Sequence, residues 1–263
     1  MSNQPTIGQI IAAIEEAAPR SLQEQWANSG LLVGSPAGAC RGVMLCLDVT
    51  PGVIDQAREK GCNLVIAHHP LIFKGIKVVN DETVQGRALI DAIRADIAVY
   101  CAHTSLDNAP APYGVSCEMA RLLGAEVSAP LSPSGTGVIA RLPQPMEAEE
   151  FARACRRVFE ADHLRHSPFA AAPAGQIETV ALGSGACGFL IPDAIAAGAQ
   201  AIVTSDVRYH DFLDYGGRIL IVDLTHFDTE KCTKEIFKRI ISQKIPNFAP
   251  VFCARETNPI EYM

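Results

Sequence analysis

Short apolar runs alternate along the chain with stretches whose apolar positions recur at helical spacing. In the first part of the chain this pattern predicts strands at 42–47, 63–67 and 97–101 and helices at 7–18, 51–60 and 87–94. The strands are apolar almost throughout, which is typical of strands that are covered on both faces of a sheet. The pattern therefore predicts an α/β fold with helices on the faces of the sheet.

A second α/β pattern follows a stretch rich in Pro, Ser and Gly at residues 129–137, which we interpret as a domain boundary. The predicted strands there are 138–142, 179–182, 201–204, 220–223 and 251–253. The predicted helices are 147–159, 192–197 and 229–242. The same type of layered fold is therefore expected in both parts of the chain.

The composition narrows the class of protein. With 48% hydrophobic and 19% charged residues, it is typical of a globular protein and not of a disordered one. The formal net charge of −7 disfavours nucleic acid as a partner, because phosphate backbones attract basic surfaces. The N-terminus lacks the pattern of a signal peptide, and no apolar stretch approaches the roughly 20 residues of a membrane span. We therefore expect a soluble, cytoplasmic protein with no membrane partner.

Nine cysteines are present, and no two of them form a CxxC pair. Several lie inside apolar runs, as Cys46 does. They are expected to be buried thiols in a reducing compartment, and not disulfides or ligands of a thiolate zinc site.

Histidines and carboxylates follow three of the predicted strands. His68 and His69 come directly after the strand at 63–67, and His103 and Asp107 follow the strand at 97–101. If these strands are parallel neighbours, both groups lie at the same edge of the sheet, where ligands collect in α/β proteins. Taken singly, the first group is better explained as a polar turn with a capping histidine, and Asp107 alone is only weak evidence against a local cap.

His226 and Glu230 follow the strand at 220–223 and are four residues apart. They share one face if a helix begins early enough, and both can then reach one metal ion. The alternative is an ordinary helix start, with Asp228 as its cap and Glu230 placed favourably for the helix dipole.

The three groups together favour a metal site. They contain four of the seven histidines in the chain, and imidazole with carboxylate suits Zn, Fe, Mn, Co or Ni. A carboxylate can bridge two ions about 3.5–4 Å apart, which is the spacing of two-metal hydrolytic sites. We therefore predict that each chain holds two divalent transition-metal ions.

At these residues the chain resembles the dinuclear-metal-centre proteins named GTP cyclohydrolase I type 2 homologues, the "interacting factor three"-like family. The stretches that carry the resemblance follow the family's order and span nearly the whole chain: residues 26–34, 68–73, 102–107, 204–207 and 226–230. The chain departs from the family's usual residues at Ala27 and Ser116, neither of which is a candidate ligand.

The resemblance implies a specific ligand set. His68, Asp107 and Glu230 would hold one ion, and His69, His226 and Glu230 the other, with Glu230 shared. His103 would line the site.

The resemblance also implies two α/β halves around mixed sheets, with the C-terminal segment returning to the first half. The metal site would lie at strand ends in the cleft between the halves. The corresponding domains are residues 1–128 with 220–263, the metal-binding α/β domain, and residues 129–219, the second α/β domain. Assembly as a homohexamer is a further expectation.

The predicted function is that of a metal-dependent hydrolase acting on a small nucleotide-like or phosphorylated molecule, a substrate class that the family name suggests. Asp206, His210 and His103 are the candidate catalytic residues for proton transfer. For Asp206 and His210 the alternative is a solvated loop that leads into a helix. The alternative function is a non-catalytic metal-binding regulator, storage or delivery protein with the same ligands.

Three other features can each be interpreted as functional or as purely structural. Residues 183–188 fit the GxGxxG pattern, and we interpret them as a glycine turn that either takes a substrate phosphate or is only a tight turn. Trp26, the single tryptophan, is expected to pack rather than to bind a ligand. Lys74 and Lys77 either meet an anionic substrate or are ordinary surface lysines.

Overall fold

The computed structural model describes residues 4–171, 176–246 and 248–263. The strands, in chain order, are β1 (Gly30–Val33), β2 (Val43–Cys46), β3 (Leu64–Ala67), β4 (Ala98–Cys101), β5 (Glu126–Pro130), β6 (Val138–Met146), β7 (Arg165–His166), β8 (Ile177–Leu182), β9 (Ala201–Ser205), β10 (Leu220–Leu224) and β11 (Val251–Phe252). The α-helices are α1 (Ile7–Ala17), α2 (Pro51–Glu59), α3 (Val84–Arg94), α4 (Thr104–Asp107), α5 (Val115–Leu122), α6 (Ala148–Val158), α7 (Ile191–Ala196), α8 (Tyr209–Tyr215), α9 (His226–Glu230) and α10 (Thr233–Lys244). The predicted α/β class is confirmed.

The chain divides into two compact units. The first comprises Met1–Ala109 and Thr233–Glu261, and the second comprises Pro110–Cys232 with Tyr262–Met263. This division differs from the predicted one, because β5 pairs with β6 and β10 pairs with β9 and β7. The segments 110–128 and 220–232 therefore belong to the second unit, and the return to the first unit begins only at Thr233.

The first unit is built on a five-stranded sheet in the order β1-β4-β3-β2-β11. Its strands are parallel except β1, which runs antiparallel to β4. Every residue of β2, β3 and β4 is buried, as their unbroken apolar runs require. Thr50 and Thr83 begin α2 and α3 by accepting hydrogen bonds from amides of the first turn. Both helices pack on one face of the sheet, and α1 packs against α10.

The second unit is built on a six-stranded mixed sheet in the order β5-β6-β8-β9-β10-β7. Alternate residues of its central strands belong to two separate apolar clusters, since Val203 packs with Phe151 of α6 and its neighbour Ile202 packs with Ile191 of α7. Because side chains alternate between the faces of a strand, these clusters cover opposite faces of the sheet. The predicted boundary at 129–137 lies inside this unit, where it joins β5 to β6.

Several elements differ from the predicted pattern. β1, β5, β7, α4, α5 and α8 are additional, and the predicted helix at 229–242 is divided into α9 and α10. Among the described residues, no helix combines the length and the apolar character needed to cross a bilayer.

Candidate metal centre

The ends of β3 and β4 bring three histidines together in the first unit. The two strands are parallel neighbours, and Ala67 is paired in register with Cys101. The chain therefore leaves both strands at one level, with His68 and His69 after β3 and His103 shortly after β4. Candidate ligand nitrogens of these three histidines all lie within 4.8 Å of one another. This edge of the sheet thus carries the nitrogen donors that transition metals bind.

Hydrogen bonds fix the orientation of two of these rings. Nδ1 of His68 lies 3.2 Å from the carbonyl oxygen of Ala102, and Nδ1 of His69 lies 2.8 Å from Oδ1 of Asp48. A carbonyl or an ionised carboxylate only accepts, so Nδ1 carries the hydrogen in each pair. In the neutral ring, Nε2 then presents a lone pair, which is how metal-binding histidines are commonly held.

Asp107 adds a carboxylate beside the buried ring of His68. The short helix α4 follows His103, whose carbonyl accepts the backbone N–H groups of Leu106 and Asp107. This turn places Oδ2 of Asp107 3.6 Å from Nε2 of His68, whose side chain is 0% exposed. An imidazole and a carboxylate at that separation can both contact one ion.

The second unit carries a separate pair of candidate ligands on α9. Thr225 begins this helix after β10 by accepting a hydrogen bond from the amide of Asp228. The helix then places His226 and Glu230 one turn apart, with Nε2 and Oε2 3.0 Å from each other. Glu230 is buried. The cap is therefore Thr225 and not Asp228, and the His–Glu pair shares one face of the helix.

The carboxylate of Asp206 accepts a hydrogen bond from the His226 ring, as the carboxylate of Asp48 does from the His69 ring. Asp206 follows β9, which is the parallel neighbour of β10. Its Oδ2 lies 2.6 Å from Nδ1 of His226. The backbone of Asp206 has a φ of 55°, in the left-handed region that non-glycine residues rarely adopt.

The glycine-rich turn at 183–188 packs against Glu230. A Cβ at Gly185 would lie 2.2 Å from Oε1 of Glu230, and its φ of 62° is also in the left-handed region. The amide of Gly185 donates to Oγ1 of Thr229, and the amide of Ser184 donates to Oγ of Ser116. Because these amides bond within the protein, the tight-turn interpretation is favoured over a phosphate site.

The remaining candidates lie on or near α8. His210 is exposed in the first turn of this helix, and its ring packs edge to face with Tyr209 at 5.4 Å. The guanidinium of Arg208 lies beside Asp211, and its hydrogen bonds hold the pKa of that carboxyl below its usual range. The structure thus places Asp206 against a candidate ligand and His103 inside the histidine cluster, whereas His210 lies beside Tyr209.

A cavity of about 590 Å³ opens beside His69 in the first unit. Its polar lining includes Asp48, Gln85 and Arg255. This volume lies within the range of roughly 300–1,000 Å³ that is usual for sites of small molecules.

Asp223 is a buried carboxyl in β10. Burial raises the pKa of Asp223 to about 6, and its ion pair with Arg165 only partly offsets this rise. The Arg165 side chain is 63% exposed, so water screens its charge.

We expect Asp223→Asn to remove one pH-dependent contribution to stability. With a folded-state pKa of about 6 and an unfolded value of about 3.9, the folded state binds more protons between these values. The contribution of Asp223 to the free energy of unfolding therefore falls as pH rises from about 4 to about 6 and is constant above. Urea titrations of both proteins should give a wild-type minus variant difference that decreases over this range. The exposed Asp214→Asn is the control, and a difference that does not vary with pH would contradict the assignment.

The chain matches a family model and relatives over most of its length. A family model described as Duf34/NIF3 (NGG1p interacting factor 3) matches residues 5–259. A GTP cyclohydrolase 1 type 2 homolog of Clostridium acetobutylicum is 33% identical over 225 residues, which cover 82% of each chain. A homolog of the same name from Streptomyces coelicolor is 31% identical over 238 residues, which cover 86% of this chain and 82% of its own.

Solved structures share the fold. A hypothetical protein of Staphylococcus aureus superposes with a TM-score of 0.87 at 24% identity, covering 98% of this chain and 100% of its own. A Bacillus cereus protein related to NIF3 gives a TM-score of 0.87 at 22% identity, covering 100% of both chains. At these identities the likeness concerns the fold alone.

Proposed function

The chain belongs to the Duf34/NIF3 family, and on that premise we propose that it is a dinuclear metal-binding protein that acts as a metal-dependent hydrolase. The proposed ligands are the imidazoles and carboxylates that follow β3, β4 and β10: His68, His69, Asp107, His226 and Glu230. As the family resemblance implies, His68, Asp107 and Glu230 would hold one ion. His69, His226 and Glu230 would hold the other, so that Glu230 is shared.

The orientation of the histidines is the observation that carries this proposal. His68, His69 and His226 each have Nδ1 within hydrogen-bonding distance of an oxygen acceptor. All three therefore present Nε2 as the donor atom when neutral. In an ordinary polar turn or helix start, nothing requires three imidazoles to be held in this same manner.

The chemistry of the donors fits divalent transition metals. Imidazole and carboxylate suit Zn, Fe, Mn, Co or Ni. Thiolates are absent from the groups of candidate ligands found among the described residues. Burial raises the pKa of Cys46 and Cys101, which disfavours their thiolate forms. The expected load is two ions per chain.

Bound divalent ions would lower the pKa of a water molecule and stabilise the negative charge that develops on a substrate during hydrolysis. The protein's own groups would position the ligands and move protons. Asp48 and Asp206 hold the rings of His69 and His226. We assign proton transfer to Asp206, His210 or His103, and a nucleotide-like or phosphorylated small molecule as the substrate.

A screen of nucleotides and phosphate esters with metal-loaded protein tests the hydrolase proposal. For a substrate that is turned over, replacing the residue that transfers the proton should reduce kcat by about 10²- to 10⁴-fold. Asp206→Asn, His210→Ala and His103→Ala are compared at equal metal content. Because Asp206 contacts His226, a loss of metal in Asp206→Asn would identify it as a positioning residue.

Two outcomes of this screen contradict the proposal. If all three variants keep full activity, the assignment of proton transfer is wrong. If the fully metal-loaded protein turns over none of the compounds, a metal-binding regulator, storage or delivery protein becomes the better description.

We further propose that the chain works in the cytoplasm as a homohexamer. Cys46, Cys101 and Cys155 are buried free thiols, which suits a reducing compartment. Light scattering after size-exclusion chromatography gives the mass, and any value other than six chain masses contradicts the hexamer.

A further inference from the structure

Three aromatic rings form a cluster beside the paired histidines of the first unit. Trp26 lies 6.0 Å from Phe73 and 5.6 Å from His103, measured between ring centroids. Phe73 and His103 are 6.0 Å apart. All three contacts are edge to face, with interplanar angles of 61°, 76° and 79°. His103 in turn lies 5.4 Å from the ring of His68 and 5.7 Å from that of His69.

The cluster leaves much aromatic surface in contact with water. Trp26 is 60% exposed and Phe73 is 40% exposed. The expectation that Trp26 packs is therefore only partly met, because its ring contacts neighbours but is not buried. Exposed aromatic groups that sit together mark binding surfaces more often than chance exposure does.

Hydrogen bonds hold the segment that carries Trp26 in place. The amide of Glu24 donates to Oγ1 of Thr104 at 2.9 Å. Nδ2 of Asn28 donates to the carbonyl of Ile72 at 2.5 Å. These bonds tie the Trp26 segment to α4 on one side and to the residue before Phe73 on the other. The rings are therefore positioned before any ligand arrives, which lowers the entropy cost of binding.

We propose that Trp26 and Phe73 form a stacking surface for the planar base of a nucleotide. Base–aromatic stacking needs an exposed ring face and accepts any base. The loop after Phe73 carries Lys74 and Lys77, both exposed, and their positive charge suits the phosphate of the same ligand. The contact of both rings with His103 places the bound base next to the histidine cluster. This inference rests on the proposed function and names the substrate class of that same site.

The chain contains a single tryptophan, so its fluorescence reports on Trp26 alone. Titration of the full-length, metal-loaded protein with guanosine and with GMP should quench this fluorescence, whereas ribose 5-phosphate should not. Lys74→Ala with Lys77→Ala should weaken GMP binding and leave guanosine binding unchanged. This separation distinguishes base stacking from phosphate binding.

Phe73→Ala tests the stacking contribution while keeping the reporter. We expect it to raise the Kd for guanosine about ten- to a hundredfold, the range that base–aromatic stacking supplies. Phe189→Ala is the matched control, since Phe189 is 65% exposed and belongs to the second unit. Trp26→Phe, measured by calorimetry, should bind guanosine more tightly than Trp26→Ala.

Three results would overturn the inference. These are no quenching by either guanosine or GMP, an unchanged Kd in Phe73→Ala, or emission that shifts with protein concentration and not with nucleotide. If emission shifts with protein concentration and the mass of Trp26→Ala differs from that of the wild type, the surface instead makes contacts between copies of the chain.

Elemental analysis of the same samples separates this test from that of the proposed function. Normal metal content without nucleotide binding contradicts only the stacking surface, and nucleotide binding without metal contradicts only the dinuclear site.

Discussion

Glu230→Gln is expected to reduce the metal content from about two ions per chain to less than one. Glu230 is the proposed shared ligand, and the amide side chain keeps its shape but loses the negative charge that holds a divalent cation. In the structure its Oε2 lies 3.0 Å from Nε2 of His226. Elemental analysis after metal loading and dialysis gives the result directly.

The exposed Glu235→Gln on α10 is the matched control and should keep the wild-type metal content. If Glu230→Gln retains two ions per chain, its shared role is wrong. If the wild-type protein itself binds fewer than two, the dinuclear proposal is wrong.

Gly185→Ala tests the same carboxylate without changing a ligand. The added Cβ would lie 2.2 Å from Oε1 of Glu230, and the backbone there has a left-handed φ of 62°. Glu230 must move to make room, so we expect metal content to fall as in Glu230→Gln. Gly198→Ala is the control, because its φ of 77° is also left-handed but, among the described residues, no atom outside its chain neighbours lies within 4 Å of the added Cβ.

Glu256→Ala is expected to lower the free energy of unfolding by about 3–5 kcal/mol, the cost of breaking a buried ion pair by removing one partner. The Glu256 side chain is 4% exposed and pairs with Lys234, which is 17% exposed. The same carboxylate accepts the backbone amides of Leu47 and Asp48 at the end of β2. The substitution therefore removes a counter-charge together with the oxygen, Oε1, that accepts both backbone amides.

Urea denaturation measures this loss, and Glu59→Ala is the matched control. Glu59 also forms an ion pair, with Arg255, but both side chains are about half exposed. Its removal should cost about 0–1 kcal/mol. Equal effects of the two substitutions would show that the buried position of Glu256 does not matter.

The three central strands of the first sheet could be predicted from the sequence because their apolar pattern is local. β2, β3 and β4 are buried along their whole length, so each appears as an apolar run. β5 was not predicted because it is an edge strand of the second sheet and no residue in it is buried. Its pairing with β6 depends on the neighbouring strand and leaves no apolar pattern.

The histidine cluster of the candidate site could also be predicted from the sequence. His68, His69 and His103 follow apolar strands, and the parallel pairing of β3 with β4 brings them together. Asp48 was missed, although it follows β2 by the same rule and could have been found. The hydrogen bonds of Glu256 to the end of β2 could not be predicted, because Glu256 lies 208 residues further along the sequence than Asp48.

The first unit is built from both N- and C-terminal parts of this sequence, since Thr233–Glu261 adds strand β11 to its sheet and helix α10 against α1. On the ribosome, which adds about 5–20 residues per second, the histidines after β3 and β4 emerge long before the packing partner of α1 does. The strands and helices of the second unit have no such delay, because all of them lie in the continuous segment Pro110–Cys232. A nascent chain therefore carries these imidazoles on an unfinished scaffold until Thr233–Glu261 has been synthesised, and we expect the proposed ions to bind only after that.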